Sequence, residues 1–301
     1  MTRILAERPL PRRLRKRVAE SLTLSLPLVD EHWQADRIHV ITPESDEARR
    51  VPLDTLVFAD DQLLFDGAPI ASAPSRSHAI LNKPKQVTST AHDPRGKTDL
   101  SAYLRDMPAG CFPVGRLDRE TSGLLLFTND GDLANAVLRP DHETSKTYWL
   151  WLDDALEADD PRLARLVQGV MHHGQHLSAK HARITARTDY ATELELTLTQ
   201  GKNRQIRHMC RALDLHLEHL HRTRIGPLSA AGLALGEWRL LAADEVAALW
   251  SAVGGKARLR QRKVAALSRL AHAARAGGAP HLRLERWLEA EPDRDSETPA
   301  E

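Results

Sequence analysis

The sequence predicts an α+β protein: a mixed, largely antiparallel sheet with flanking helices, preceded by a smaller α+β module. Three observations lead there. Short segments alternate apolar and polar residues with a period of two, most completely Glu193–Thr199, ELELTLT. Helical segments are scattered among them irregularly, without the βαβα rhythm of a doubly wound sheet. The 301 residues fit about two domains, and a stretch of small and polar residues, ASAPSRS at 71–77, supplies a linker between them.

The first unit, residues 1–70, opens with a helix over 12–22. Leu14, Val18 and Leu22 form its apolar stripe, and Arg12, Arg13, Arg15, Lys16 and Arg17 surround it. Pro27 then interrupts the pattern. Strand-like pieces follow at Ile38–Ile41 and Leu56–Phe58, and Asp66-Gly67 marks a turn. The second unit runs over 78–252. Its readable strands are Leu124–Phe127, an apolar run closed by the Asn129-Asp130-Gly131 turn, then Thr147–Leu152 and Glu193–Thr199. Helices are predicted at Leu133–Leu138, Arg162–Val167 and Arg204–Leu213. Residues 253–301 form an extension. Nine Lys/Arg and one acid lie between Lys256 and Arg286; six acids and one Arg follow from Trp287 to Glu301. The formal net charge of +1 therefore conceals a basic segment suited to RNA phosphates, with a solvated helix beside an acidic tail as the alternative.

Composition excludes several classes. Hydrophobic residues make up 42% and charged residues 28%, a globular balance and not a disordered one. No apolar run approaches the ~20 residues of a membrane span, and the start, MTRILAERPLPRRLRKR, does not read as a secretory signal. Cys111 and Cys210 are the only cysteines, so a disulfide scaffold and a four-thiolate metal site are excluded and a cytoplasmic setting is expected. The histidines at 172, 173 and 176 and at 216, 219 and 221 lack carboxylate or thiolate partners in a ligand pattern, so no metal is expected. Neither a P-loop nor a G-x-G-x-x-G is present, so no nucleotide cofactor is expected.

Two segments carry candidate chemistry. On the helix Arg204–Leu213, Ile206, Met209, Cys210 and Leu213 share one face, while Arg204, Arg207, His208 and Arg211 share the other. Asn203 is placed as its N-cap. Arginines in a first helical turn run against the helix dipole, which points to an anion site; an ordinary basic face is the alternative. The second segment is Gly115–Gly123, GRLDRETSG, where glycines bracket a charged loop ahead of a buried strand. Asp118 in such a loop can project into a cleft with Arg116 and Arg119 keeping it ionised. A structural ion pair explains the same residues.

The run GRLDRETSGLLLFTNDGDL (Gly115–Leu133), the Lys146-Thr147-Tyr148 strand, GKNRQIRHM (Gly201–Met209), IGPL (Ile225–Leu228), LGEWRLL (Leu235–Leu241) and the opening Leu81-Asn82-Lys83-Pro84 together resemble the RsuA-type branch of RNA pseudouridine synthases over about residues 78–250. The resemblance implies isomerisation of a uridine in RNA, with a C–C glycosidic bond replacing the N–C bond and no metal or organic cofactor. It implies Asp118 as the catalytic aspartate, by direct attack or by proton abstraction. Tyr148 matches the active-site tyrosine, stacking on the base and assisting proton removal from C5, and Arg207 the basic partner of the aspartate. A uridine in folded RNA must be unstacked to reach the pocket; Arg116, Arg119, Lys202, Arg204 and Arg211 suit phosphate contacts around it, and Arg15 and Lys16 suit contacts from the first unit. That unit resembles a degenerate alpha-L-type RNA-binding module, its usual second helix replaced by LSLPLVDEHWQADR (Leu24–Arg37). Gln86 stands where many relatives have glycine. The expected partner is ribosomal RNA, with transfer RNA second, and the expected state is a monomer with no membrane association. A non-catalytic RNA-binding or ribosome-assembly protein would share the basic helices but not the aspartate, tyrosine and arginine at matching positions.

Overall fold

The computed structural model describes residues 9–277 and 281–289, divided into two compact units: one over 76–254, the other formed from 1–75 together with 255–301. The acids from Glu291 onward lie outside the described residues.

The unit over 76–254 is built on one sheet. Its principal elements are β1 (His78–Lys83), β2 (Ser122–Thr128), α1 (Gly131–Leu138), β3 (Lys146–Leu152), β4 (His181–Arg187), β5 (Thr192–Leu198), α2 (Gln205–Ala212), β6 (Leu217–Ile225) and β7 (Trp238–Leu240). The strand order is β4-β5-β3-β6-β2-β1-β7. Every neighbouring pair on that path is antiparallel except β6 and β2, which run parallel. This is the mixed, largely antiparallel sheet that the alternating segments predict. Alternation also assigns the faces. Leu194, Leu196 and Leu198 of β5 are buried with Leu150 and Leu152 of β3, under Ile206, Met209 and Cys210 of α2. A second cluster on β1 and β2 joins Ala79, Leu81, Leu125 and Phe127 with Val87, Leu100 and Met107.

The register runs straight across these strands. Leu196 opposes Tyr148, Tyr148 opposes Arg222, Arg222 opposes Gly123, and Gly123 opposes Lys83. Residues in one lateral row share a face, so both apolar clusters lie on the same side of the sheet and the row passes between them. A register shift between Thr147 and Tyr148 against β6 falls at this row, the kind of irregularity that re-aims side chains beside a site.

The other unit differs from its sequence reading in two places. Pro27 does not interrupt a helix; it lies in the first turn of one, Leu26–Gln34, whose N-cap Ser25 accepts from the Leu28 amide at 3.4 Å. Proline is tolerated there because the first-turn N–H groups have no intrahelical partner. The segment Leu24–Arg37 thus contains a second helix, packed on Leu14–Leu22 through Val29. A four-stranded sheet of order Ser45–Arg49, Ile38–Thr42, Gln62–Phe65, Ala68–Pro69 completes the module. Its last hairpin turns at Asp66 and Gly67, both at positive φ (52° and 78°), the backbone of a type I′ turn. The second difference concerns 253–301, read from sequence as an extension. Helices Gly255–Ala276 and Leu282–Glu289 bury Leu267, Ala271, Leu284 and Trp287 against Leu56 and Phe58. Apolar residues on these helices are sparse but sit where one narrow stripe meets the module.

Candidate active site

Asp118 occupies a turn fixed from both sides. The Thr121 amide donates to its carbonyl at 2.9 Å. Just before it, the Leu117 amide donates to Ser89 Oγ at 3.1 Å while that hydroxyl donates to the Leu117 carbonyl at 2.8 Å. Just after it, the Gln86 amide donates to the Arg119 carbonyl at 2.7 Å. Gln86 adopts a positive φ of 67°, a conformation glycine takes without steric cost and other residues do not. Its side chain donates to Glu120 Oε2 at 2.8 Å.

Two arginines meet the Asp118 carboxylate. Arg204 Nη1 and Arg207 Nε each lie 3.8 Å from Oδ2. Arg207 also donates through Nη2 to the Glu120 carbonyl at 3.3 Å and to Thr121 Oγ1 at 3.4 Å. Its Nε is buried without a hydrogen-bond partner, so the ion pair is close but not yet a hydrogen bond. Burial, then the nearby Arg204, push the Arg207 guanidinium below its ordinary pKa; Asp118 and Glu120 pull it back up. The helix carrying Arg207 begins one residue later than the sequence implies. Arg204, not Asn203, is the N-cap, in the left-handed region at φ 50° and without a side-chain cap. Gln205, buried, instead ties down the approach to the helix: its Oε1 accepts from the Lys202 amide at 3.2 Å and its Nε2 donates to the Ser178 carbonyl at 3.0 Å. His208 lies off the buried face of this helix, with Arg207 and Arg211. It stacks on His172 with ring centroids 3.9 Å apart, and burial and His172 hold its pKa below the usual histidine value.

The remaining candidates separate into groups. Arg116 and Arg211 are exposed, while Arg119 pairs with Glu120 at 3.5 Å. Lys202 donates to the His176 carbonyl at 2.9 Å. In the other unit, Lys16 is exposed, but Arg15 is held by Asp30, donating from Nε at 2.6 Å and also from Nη2. Three residues beside the site had little or no signal in the sequence. Lys83 is completely buried and donates to the carbonyls of Pro84 and Val87, both at 2.9 Å; burial lowers its pKa to about 8. Arg222 is 4% exposed. Gly123 lies between them. No group of three or more His, Cys, Asp or Glu side chains among the described residues could hold a metal ion, and no helix among them is long and apolar enough to cross a membrane. A cavity of about 390 Å³ beside β3 and β6, lined by Tyr148, Trp149, His221, Thr223 and Arg224 among others, does not include Asp118 or Arg207.

Comparison with known proteins gives this geometry its context. A family profile described as RNA pseudouridylate synthase matches residues 77–212, a span containing Asp118, Tyr148 and Arg207. The ribosomal small subunit pseudouridine synthase A of Escherichia coli is 31% identical over 240 residues, covering 79% of this chain and 99% of that protein. The chain belongs to the RNA pseudouridine synthases, in the RsuA-type branch. An uncharacterized RNA pseudouridine synthase of Aquifex aeolicus is 34% identical over 67% of this chain and 81% of its own length. A crystal structure of a pseudouridylate synthase superimposes with a TM-score of 0.54 at 25% identity, covering 80% of this chain and all of that one. As a pseudouridine synthase the chain is an isomerase that modifies RNA, and the mixed sheet with its flanking helices is the synthase architecture.

Proposed function

We propose that this synthase isomerises a uridine in ribosomal RNA, with Asp118 as the reactive carboxylate, Tyr148 against the base and Arg207 as the partner that holds Asp118. The observation that carries the reading is the Asp118 carboxylate between two guanidinium groups, each at 3.8 Å, in a loop leading directly into the strand that shares a row with Tyr148. In the reaction the N1–C1′ bond breaks, the uracil turns, and a C5–C1′ bond forms; C5 loses a proton and N1 gains one, so atoms balance without a redox partner. A carboxylate held by arginines is ionised and oriented, as either attack on C1′ or proton abstraction from the ribose requires. The tyrosine hydroxyl is suited to the proton transfer at C5.

Ribosomal RNA is favoured as substrate because relatives named for the small ribosomal subunit align over 99% of their length; transfer RNA is the second choice. Exposed Arg116 and Arg211, with Arg119, Lys202 and Arg204, suit phosphates around the target nucleotide, and Lys16 with Arg15 suit a further contact from the other unit. The protein acts as a cytoplasmic monomer in this reading.

The test is Asp118→Asn on unmodified ribosomal RNA transcripts. The substitution is nearly isosteric, so RNA affinity should change by less than about 1 kcal/mol while pseudouridine formation is lost. Near-normal turnover would remove Asp118 from the reaction. Mapping pseudouridines in ribosomal and transfer RNA of a deletion strain identifies the substrate.

A further inference from the structure

Three imidazole rings lie in a row beside the helix that carries Arg207, and the proposed chemistry uses none of them. His208 follows Arg207 on α2 and lies one turn from both Arg204 and Arg211. His172 ends the strand Val170–His172, which pairs with Gln175–Leu177 in a short hairpin. The His172 ring lies on the His208 ring, with centroids 3.9 Å apart and planes 23° apart. His173 meets His172 edge-on at 4.3 Å. The rings thus run from the hairpin turn to the helix.

The hairpin is small but firmly held. His173 and Gly174 turn it at positive φ (46° and 74°), as a two-residue type I′ turn requires. Val170 and Leu177 anchor it in the apolar cluster under α2. Lys202 donates to the His176 carbonyl at 2.9 Å, and Gln205 to the Ser178 carbonyl at 3.0 Å, so its outgoing strand is tied to the start of α2. Its turn faces outward: His173 is exposed, and Met171 is 64% exposed. The His172 and His208 rings make no hydrogen bond among the described residues, and no nitrogen of either is fully buried. Ring lies against ring, with the ring edges open to solvent. A leucine at either position would pack as well, so the core does not require this pair.

We propose that His172 and His208 form a stacking surface for an unpaired base of the substrate RNA beside the target uridine, with Arg204 and Arg211 on either side of His208 taking its phosphates. The inference rests on the reading of Asp118 as the reacting centre. Arg204 and Arg207 each lie 3.8 Å from the Asp118 carboxylate, so RNA that delivers a uridine to Asp118 meets the exposed side of α2, where His208 is the next residue. Extracting the target uridine strips its neighbour of a stacking partner, and an aromatic ring restores one. Arginines one turn away on each side suit the phosphates of that nucleotide. Stacking accepts any base, because every base has a π-face; the pair therefore adds affinity and placement without reading sequence.

The experiment measures binding of a synthetic RNA spanning the uridine mapped in the deletion strain, and of the same RNA with a single abasic nucleotide at each flanking position in turn. His208→Ala should weaken binding of the intact RNA about 5- to 150-fold, the range of one base–aromatic stack. The single-turnover rate at saturating enzyme should stay within about threefold, since the contact serves binding and not the chemical step. His208→Phe keeps a ring and should bind within about twofold of wild type. At one flanking position the abasic RNA should lose that same factor with the wild-type protein and lose nothing more with His208→Ala, whereas unconnected losses multiply. Should His208→Ala fail to fold by circular dichroism, His172→Ala on the surface hairpin breaks the same stack and gives the same comparison. Wild-type affinity in the alanine variants, or losses that multiply at every flanking position, overturns the stacking surface. Repeating the comparison in Asp118→Asn separates the two readings. If product is lost and the losses still multiply, the stacking surface alone fails; if product is retained, the assignment of Asp118 fails and the abasic comparison still decides the stacking surface.

Discussion

Tyr148 shows how one residue can serve two neighbours of different character. It packs partly on the cluster around Leu150 and Leu196, and it opposes the buried Arg222. Its ring therefore has an apolar side to rest on, an arrangement that steadies an aromatic surface for stacking. Tyr148→Phe keeps the ring and removes only the hydroxyl. With binding carried by the ring and by phosphate contacts, RNA affinity should hold, and isomerisation should slow by about 10²–10⁴, the usual contribution of a positioned acid or base. A single-turnover rate measured with saturating enzyme isolates the chemical step. An unchanged rate would reduce Tyr148 to a packing residue.

At the scale of elements, the parallel seam between β2 and β6 decides the geometry of the site. Everything else in the sheet is antiparallel, so this one pairing sets which side chain of β6 lies under the Asp118 loop. Gly123→Ala should break it: the new Cβ has backbone atoms at 2.3 and 2.5 Å with no flexible side chain to give way. A loss of at least about 2 kcal/mol is expected from overpacking at a left-handed position, measured by urea denaturation, with activity falling further than stability explains. Wild-type stability would show that the seam relaxes freely. The same seam explains what was legible in the sequence. β5 announces itself because Leu194, Leu196 and Leu198 alternate with polar residues facing solvent. β6 does not, because LEHLHRTRI sets histidines on one face and arginines on the other and one of those arginines is buried. The Asp118 loop and the Arg207 helix were legible from motif and periodicity. Arg222 and Lys83 were not, since nothing local distinguishes a buried cation from an exposed one. The helix Leu26–Gln34 was hidden by reading Pro27 as a breaker when its place in the first turn makes it a starter.

At the scale of the whole molecule, the nine Lys/Arg between Lys256 and Arg286 belong to the same compact unit as the module. Arg283, counted in the basic segment, is held by Asp61 at 2.7 Å and Asp60 at 3.1 Å and lies over the Phe58 ring at 4.4 Å. Arg275 pairs with Glu285 at 3.0 Å and Arg286 with Glu44 at 3.4 Å. Arg283 and Arg286 hold the helix Leu282–Glu289 to the module, and Arg275 ties the helix Gly255–Ala276 to that helix, so all three are poor donors of free phosphate contacts. Truncation after Ala252 then has a structural consequence besides any loss of RNA affinity. It uncovers Leu56 and Phe58 and removes Leu284 and Trp287, whose burial each contributes about 2–3 kcal/mol. Amide hydrogen exchange should show protection lost over residues 14–65 and kept over β1 to β7. The smaller variant Trp287→Ala should cost roughly 3–5 kcal/mol in the same unit. If both variants keep wild-type protection over 14–65, the C-terminal helices are dispensable to the module, and any change in RNA affinity on truncation belongs to their charge alone. If protection is lost, the salt dependence of binding by the truncated protein reports an unfolded module, and the charge contribution must be read instead from Arg258→Gln and Arg269→Gln in the intact chain, where each lost phosphate contact should lower the slope of log K against log salt by about 0.7–0.9.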